Sequence, residues 1–135
     1  MISEVVSYLH IESLLKKNIN QLSGGEKQLV SLASVLVTSP EIIILDEAFS
    51  MLDGESHKLL LYLINKICQE KKITIINITH DMNDTVNSDR IIVLDDGKVS
   101  LNGTKEEVFS ESKKLKSIGL NLPFMAELSQ KLSYY

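Results

Sequence analysis

Cysteine, long apolar runs and an excess of basic residues are scarce or missing in this 135-residue chain. Its single cysteine, Cys68, excludes an internal disulfide. No apolar run approaches the roughly 20 residues that a membrane-spanning helix needs, and no secretion signal opens the chain. The formal net charge of −4 argues against a nucleic-acid partner, because such a surface needs clustered Lys and Arg. We therefore expect a cytoplasmic protein that reaches a membrane only through a partner.

The apolar pattern predicts helices that alternate with strands. Residues 2–15 and 59–67 carry apolar side chains at helical spacing, whereas residues 42–45 and 73–78 are continuous apolar runs rich in isoleucine. Such runs are typical of strands covered on both faces. Helices that alternate with strands favour a parallel α/β sheet.

The C-terminal third has clear turn and cap signals. Residues 90–94 and 98–101 bracket Asp95-Asp96-Gly97, which predicts two strands joined by a tight turn. Thr104 and Glu107 have the spacing of a capping box, in which a hydroxyl and a carboxylate satisfy backbone N–H groups at a helix start. Pro123 fits the first turn of a final helix. We expect two domains, residues 1–109 and a helical extension over residues 110–135.

Four short motifs that can carry chemistry follow one another along the chain. They are Leu22-Ser23-Gly24-Gly25-Glu26, the strand-like run Ile42-Ile43-Ile44-Leu45-Asp46-Glu47, Ser50-Met51-Leu52-Asp53, and Ile78-Thr79-His80-Asp81.

The first motif predicts a capped helix start that can hold an anion. Ser23 fits the N-cap position, and Glu26 completes a capping box. The glycines between them let backbone N–H groups approach an anion at the positive end of the helix dipole. The simpler interpretation is a loop that leads into a capped helix.

Two adjacent acids end the first strand. Asp46 and Glu47 would lie at the carboxyl end of a parallel strand, where α/β sheets bind ligands. Side chains alternate along a strand, so one acid can serve Mg²⁺ and the other a water molecule. The simpler interpretation is a polar strand end.

Together, the four motifs resemble the second half of an ABC-type ATP-binding cassette. The resemblance implies that Ser23, Gly24, Gly25 and Glu26 form the signature loop, which contacts the γ-phosphate of ATP held by the opposite subunit. It also implies that Asp46 assists the Mg²⁺ shell.

The same resemblance assigns catalytic roles to Glu47 and His80. Glu47 would polarise the attacking water, and His80 would hydrogen-bond the γ-phosphate. Asp53 would couple two ATP sites across a dimer. On local grounds alone, Asp53 is an ordinary turn residue, and a lone histidine is usually structural, as we expect for His10 and His57.

One part of such a cassette has no counterpart here, because no G-x-x-x-x-G-K-[ST] loop occurs. The resemblance implies an incomplete P-loop NTPase fold: a mostly parallel sheet flanked by helices, without the phosphate-loop strand. That strand would lie between residues 73–78 and 90–94. Because the phosphate loop is missing, we expect the isolated chain to be inactive. Because a gap exposes strand edges, we also expect it to be self-associated, rearranged or poorly stable.

Two positions depart from the usual family pattern. Leu29 follows Gln28 where an arginine is usual, and Ala48-Phe49 stands where Pro-Thr or Ala-Thr is common. Neither position touches a phosphate in the family scheme, so neither removes catalysis in principle.

Within the superfamily, four segments resemble the ATPases of energy-coupling-factor transporters: Ser50 to Asp53, Thr79 to Met82, Gly103 to Phe109, and the tail from Ile118. The resemblance implies ATP and Mg²⁺ as cofactors, and import of a cobalt or other metal ion or a vitamin. It implies a peripheral position on the cytoplasmic face of the cell membrane. The implied partners are a second ABC ATPase subunit, identical or distinct, a transmembrane coupling protein and a substrate-binding membrane protein.

Two other functions remain open on the sequence. The chain could be a non-catalytic module that supplies Ser23-Gly24-Gly25 in trans to a complete ABC ATPase. It could also be a fragment of an ABC-like chromosome or repair ATPase. We rank that last, because sustained heptads and basic character are both missing.

Overall fold

The computed structural model describes residues 1–50 and 52–132. Met51 of the third motif and residues 133–135 of the predicted extension lie outside the described residues. The chain forms two compact units, Met1–Ile78 and Thr79–Tyr135. The predicted division after residue 109 is a different one, and it stays a prediction.

The first unit consists of helices and a parallel pair of strands. Strand β1 pairs with β2 so that Ile42 lies opposite Thr74 and Asp46 lies opposite Ile78. The elements are α1 (Ile2–Leu9), short 3₁₀ helices at Glu12–Lys16 and Ile19–Gln21, α2 (Gly24–Leu36), β1 (Ile42–Asp46), α3 (Gly54–Lys71) and β2 (Thr74–Ile78).

The single helix predicted over residues 2–15 is wrong. Helix α1 ends at Leu9, because His10 adopts a left-handed conformation with φ of 56°. The His10 N–H then donates to the carbonyl of Ser7, and the Ile11 N–H donates to that of Val6, at 3.2 and 3.1 Å. These bonds satisfy the last carbonyls of the helix, as in a Schellman-type end.

The core of the first unit lies on one face of the β1–β2 sheet. Ile43 on β1 is buried there, together with Ile67 of α3, which is fully excluded from solvent. The other buried members from α2 and α3 are Leu32, Ala33, Leu36, Leu60, Leu63 and Ile64. Helices α2 and α3 therefore cover the same face of the sheet.

The opposite face of this sheet is open, so the prediction of strands covered on both faces is wrong. Ile42 and Ile44 of β1 are 56% and 63% exposed, and Ile76 and Ile78 of β2 are each 48% exposed. Helices α2 and α3 lie on the other side, and no helix of the first unit, as far as its described residues show, covers these four side chains.

The second unit contains an antiparallel hairpin and three helices. The predicted hairpin is confirmed: Asp96 and Gly97 form its two-residue turn, with φ of 47° and 72°, and such positive values suit a type I′ turn. The elements are a 3₁₀ helix at Met82–Thr85, β3 (Ile91–Asp95), β4 (Lys98–Gly103), α4 (Lys105–Ser110), α5 (Ser112–Ser117) and α6 (Phe124–Leu132).

The capping box and the final helix that the sequence predicts in this unit are also present in the structure. The Thr104 hydroxyl accepts from the Glu107 N–H, and the Glu107 side chain accepts from the Thr104 N–H, so the predicted capping box starts α4. The predicted final helix is present as α6, but it begins at Phe124, so Pro123 precedes the first turn rather than lying in it. Val108 and Leu115 are the most deeply buried side chains of the core, which also holds Ile91 and Val93.

The predicted α/β class and parallel pairing are confirmed. The described strands form two separate two-stranded sheets, β1–β2 and β3–β4. No helix in the described part of the chain is both long enough and apolar enough to span a membrane.

Candidate functional site

Ser23 starts α2 as its N-cap, as the sequence predicts. The Glu26 N–H donates to Ser23 Oγ at 3.2 Å, and the Ser23 N–H donates to Glu26 Oε2 at 2.8 Å. The two glycines form the first helical turn between them. Because the first N–H groups of a helix have no acceptor within it, the amides of Gly24 and Gly25 lie where an anion is favoured.

Glu26 is held in this cap by a second partner. Lys17 Nζ donates to Glu26 Oε1 at 2.7 Å. This hydrogen bond, followed by the one from the Ser23 N–H, lowers the pKa of Glu26. Its carboxylate therefore stays ionised and is engaged in ordering the helix start. The role of Lys17 is not predictable from the sequence, because its pairing with Glu26 spans nine residues and follows no short-range pattern.

Gly25 brings the first motif against the third. Gly25 is buried, and a Cβ placed on it would lie 2.7 Å from the Cβ of Ser56. The Ser56 hydroxyl in turn donates to Asp53 Oδ2 at 2.7 Å. A residue larger than glycine at position 25 would therefore displace the start of α3.

Asp53 caps α3. Its Oδ1 accepts from the N–H groups of Ser56 and Glu55 at 3.0 and 3.1 Å. The Ser56 backbone N–H, then the Ser56 hydroxyl, lowers the pKa of Asp53. These bonds support the local interpretation of Asp53 as a turn residue. Its predicted role in coupling two ATP sites would be a second role, beside this one.

The two acids follow β1 in different backbone conformations. Asp46 is the last residue of β1 and is exposed. Glu47 has φ of 50°, which is sparsely populated for a residue with a side chain and marks local strain. Its N–H donates to the Ile78 carbonyl at 3.0 Å, so β2 holds it in place. The direction of Glu47 follows from this left-handed turn rather than from strand alternation.

The acids line a half-open groove of about 260 Å³ between α2 and β1. The groove therefore joins the helix of the first motif to the acidic strand end. Its lining residues are Gln28, Ser31, Leu32, Val35, Ile43, Ile44, Leu45, Asp46, Glu47, Ala48, Leu60 and Ile64.

The carboxylates of Asp46 and Glu47 provide some, but not all, of the ligands that a Mg²⁺ ion needs. Mg²⁺ is usually bound by one or two carboxylates together with waters and substrate phosphates. Asp46 and Glu47 supply exposed carboxylates, and the described residues contain no group of three or more His, Cys, Asp or Glu that could hold a metal by itself. The acids therefore fit a site that nucleotide phosphates complete.

His80 belongs to the second unit and lies on a braced loop. The residue before it, Thr79, donates to Asp84 Oδ2 at 2.8 Å and accepts from the Asp81 N–H at 3.0 Å. His80 itself is exposed, whereas Asp84 is only 7% exposed. Asp84 is not among the predicted site residues; the sequence signal for it is its position three residues after the cap residue Asp81.

The two departures from the family pattern are accommodated by packing. Phe49 is buried and stacks on His57, with ring centroids 5.1 Å apart and planes 12° apart. Leu29 is partly buried against the first core. The expected structural role of His57 agrees with this stack.

The first unit therefore holds most of the predicted site residues: Ser23, Gly24, Gly25, Glu26, Asp46, Glu47 and Asp53. Gly25 and Asp53 meet at Ser56, and Asp46 and Glu47 share the groove beside α2. Their roles toward a ligand stay predictions.

Comparison with known sequences shows similarity to ATP-binding proteins of ABC transporters. A family profile described as "ABC transporter" matches residues 1–50. An "Energy-coupling factor transporter ATP-binding protein EcfA" of Pediococcus pentosaceus is 45% identical over 128 residues, which are 95% of this chain and 46% of that protein. A Staphylococcus aureus protein with the same description, EcfA1, is 48% identical over 115 residues, covering 85% of this chain and 43% of that protein.

Solved structures agree with the sequences. The cbiO1 protein of Clostridium perfringens, described as part of the ABC transporter complex cbiONQ, matches with a TM-score of 0.76 and 33% identity. That match covers 96% of this chain and 52% of the other. A metal-chelate type ABC transporter in an inward-facing conformation matches with a TM-score of 0.80 and 25% identity, over 87% of this chain and 46% of the other. The chain spans about half the length of the curated relatives it matches.

Proposed function

Because this chain has the sequence and the fold of part of an ABC transporter ATP-binding cassette, we propose that it is the C-terminal part of the ATPase subunit of an energy-coupling-factor importer. The observation that carries the proposal is the groove in which the acidic strand end, Asp46-Glu47, faces the helix capped by Ser23. The transported solute is a cobalt or other metal ion, or a vitamin.

Each acid has a task that its position allows. Asp46 binds Mg²⁺, which when bound neutralises charge on the nucleotide phosphates. Glu47, held by the Ile78 carbonyl, polarises the attacking water as a general base, which is typically worth about 10²–10⁴-fold in rate. The strain at Glu47 is consistent with a backbone held for function.

The remaining residues bind phosphate and connect sites. The Ser23 hydroxyl and the amides of Gly24 and Gly25 donate to the γ-phosphate of a nucleotide held by a second ATP-binding subunit. His80 donates to the γ-phosphate of its own site. Asp53 links the two sites through its contact with Ser56, which packs on Gly25.

The names of the relatives support a role in a transporter assembly. Proteins named as energy-coupling factor transporter ATP-binding proteins, and one named as part of a transporter complex, support a membrane-bound assembly. We propose a second ATPase subunit, a transmembrane coupling protein and a substrate-binding membrane protein. The chain would then act at the cytoplasmic face of the membrane.

Hydrolysis should require a phosphate loop from elsewhere, because this chain contains none. The test combines the chain with a polypeptide that carries the phosphate loop of such a cassette and measures phosphate release. We expect turnover from the mixture, none from the chain alone, and a loss of about 10²–10⁴-fold with Glu47→Gln.

The matched control is Glu41→Gln, an identical change at an exposed residue just before the other end of β1. It should leave turnover unchanged. Full turnover with Glu47→Gln would remove this residue from the mechanism, and with it the main part of the proposal.

A second function is a non-catalytic module that supplies its first motif in trans to a complete ABC ATPase. The capped and ordered Ser23-Gly24-Gly25 helix start favours it, since this part needs no phosphate loop of its own. Under this alternative, the chain binds a complete cassette and alters its turnover, and Glu47→Gln changes nothing. A Glu47-dependent rate would exclude it.

A further inference from the structure

The carboxylate of Glu26 lies in the same helical turn as the phosphate donors of the first motif. Its Oε2 accepts the Ser23 N–H at 2.8 Å, while Ser23 Oγ accepts the Glu26 N–H at 3.2 Å. Because a hydroxyl that accepts one hydrogen bond can still donate its own proton, this arrangement leaves Ser23 able to bind an anion. The Glu26 side chain therefore orders the donors of the motif.

The charge of the same carboxylate opposes that binding. The Glu26 side chain is only 27% exposed, and its hydrogen bonds, the one from Lys17 most, lower its pKa, so it is ionised at neutral pH. A negative charge in the first turn suits the helix dipole, but it repels a phosphate that approaches the same turn. Glu26 thus helps the motif by its geometry and hinders it by its charge.

Lys17 places one positive charge against this carboxylate. Its Nζ lies 2.7 Å from Glu26 Oε1, the oxygen that the Ser23 N–H does not use. Exposed ion pairs contribute little to stability, because water already solvates both charges and the long side chains lose freedom. The main consequence of the pair is therefore local: the two charges offset each other, and the helix start keeps the positive character of its dipole end.

The segment that carries Lys17 is ordered by short-range hydrogen bonds. The Lys17 N–H donates to the carbonyl of the buried Leu14 at 3.0 Å. The next turn is closed by the Asn18 N–H, which donates to Gln21 Oε1 at 2.9 Å, and the buried Leu22 follows it. Because the backbone of Lys17 is fixed on both sides, its side chain gives up fewer conformations in order to reach Glu26.

We propose that Lys17 is a positioning residue: it neutralises Glu26, so that this carboxylate can order Ser23-Gly24-Gly25 without repelling the γ-phosphate that they bind on a second ATP-binding subunit. The inference rests on the proposed function of the first motif and adds one residue to that site. Lys17 acts through Glu26 and contacts no phosphate itself.

A purely structural role for the pair predicts a different result. If Lys17 only held Glu26 in the cap, its loss would weaken every interaction of the helix start, whichever nucleotide the partner holds. If it neutralises the carboxylate, its loss matters only when a γ-phosphate faces that turn, and removing the negative charge restores binding. Glutamine at position 26 allows the comparison, because Glu and Gln both accept the N-cap N–H in a capping box.

The test measures binding of the full chain to a complete cassette, the Pediococcus relative. That protein is immobilised and loaded with Mg²⁺ and either ADP or AMP-PNP, a non-hydrolysable ATP analogue that keeps the third phosphoryl group, and the Kd is measured by biolayer interferometry. We expect tighter binding with AMP-PNP. Lys17→Met should weaken that binding about tenfold, because an uncompensated charge then faces the phosphate, and should change the Kd with ADP by less than about twofold.

Three further variants isolate the charge. Lys17→Met combined with Glu26→Gln makes the pair neutral again and should regain most of the lost affinity. Glu26→Gln alone should bind the AMP-PNP-loaded cassette more tightly than the unsubstituted chain does, because the charge of Lys17 is then uncompensated. Lys17→Arg keeps the positive charge and should lose much less affinity than Lys17→Met.

The matched control is Lys16→Met, the same change at the neighbouring exposed lysine. It should leave the Kd unchanged with either nucleotide. The proposal is overturned if Lys17→Met weakens binding equally with both nucleotides or has no effect, or if Glu26→Gln fails to recover the affinity that Lys17→Met loses. An unsubstituted chain that does not distinguish AMP-PNP from ADP overturns it as well.

The outcomes separate this inference from the proposed function. The expected pattern of Kd values together with turnover that does not depend on Glu47 supports the role of Lys17 and contradicts the ATPase. Turnover that depends on Glu47, together with unchanged binding by Lys17→Met, supports the ATPase and contradicts the role of Lys17.

Discussion

Among single residues, Gly25 shows how a motif residue can act through packing. In sequence terms it is a small residue that opens space for an anion. In the structure it also lets the start of α2 approach Ser56, which is bound to Asp53. The same glycine therefore serves the helix start and the contact between two motifs about 30 residues apart in the chain.

We expect Gly25→Ala to destabilise the first unit by about 1–3 kcal/mol, because its methyl group overlaps Ser56 in a packed contact. Gly54→Ala is the matched control. Position 54 also opens a helix, but a Cβ there meets nothing within 4 Å, so the change should be neutral or stabilising by up to about 1 kcal/mol. Urea denaturation of each variant measures the difference.

The origin of the effect can be checked in the Ser56→Gly background, which removes the overlapping side chain. There, Gly25→Ala should cost clearly less than in the unsubstituted chain. An equal cost in both backgrounds would show that Ser56 is not the cause.

At the scale of elements, helix α1 ends earlier in the structure than the sequence predicts. Apolar spacing continues to Leu15, but the helix stops at Leu9 because His10 turns left-handed. Spacing reports which side chains face the core and says little about where the backbone changes direction. A 3₁₀ helix at Glu12–Lys16 continues the apolar pattern, and it buries Leu14.

His10→Gly should stabilise the protein by about 0.5–1 kcal/mol, because glycine adopts the left-handed conformation without steric cost. Ser7→Gly, an exposed position inside α1, is the control and should destabilise by about 0.5 kcal/mol. Thermal unfolding followed by circular dichroism measures both. If the helix continued through residue 10, His10→Gly would instead cost about as much as the control.

For strand β1, amino-acid composition predicts the strand but does not predict which of its faces are covered. A run of isoleucines predicts burial on both sides, and the strand itself is correctly predicted. Its outer face is open within the first unit, because the described helices of that unit pack on the other face. The isoleucines therefore indicate that this face is suited to packing against another apolar surface.

At the scale of the whole molecule, the chain carries acids and a capped helix start without a phosphate-binding loop. Exposed carboxylates alone repel the phosphates of a nucleotide, and nothing in the sequence supplies the Gly-rich cradle that would hold them. Nucleotide affinity is therefore expected to depend on assembly with a second polypeptide.

Titration calorimetry of the chain with Mg·ATP should give no saturable binding, with a Kd above about 1 mM. The same chain in complex with a phosphate-loop polypeptide should bind at least tenfold more tightly. Stoichiometric micromolar binding by the chain alone would contradict the half-site interpretation of Asp46 and Glu47, even though the family resemblance would stand.

The sequence by itself determined the features that depend on neighbours along the chain. The caps at Ser23 and Thr104 and the Asp96-Gly97 turn involve residues within three positions of each other, and strand type follows from local composition. The order of the four motifs was likewise enough to indicate the family.

Only the tertiary structure decided which surfaces meet. The contact of Gly25 with Ser56, the pairing of Lys17 with Glu26 and the left-handed turn at Glu47 all depend on segments brought together by folding. The open isoleucine face has the same origin. Periodicity marks a side chain as apolar, but whether it is covered depends on where the helices pack, and here α2 and α3 pack on one side.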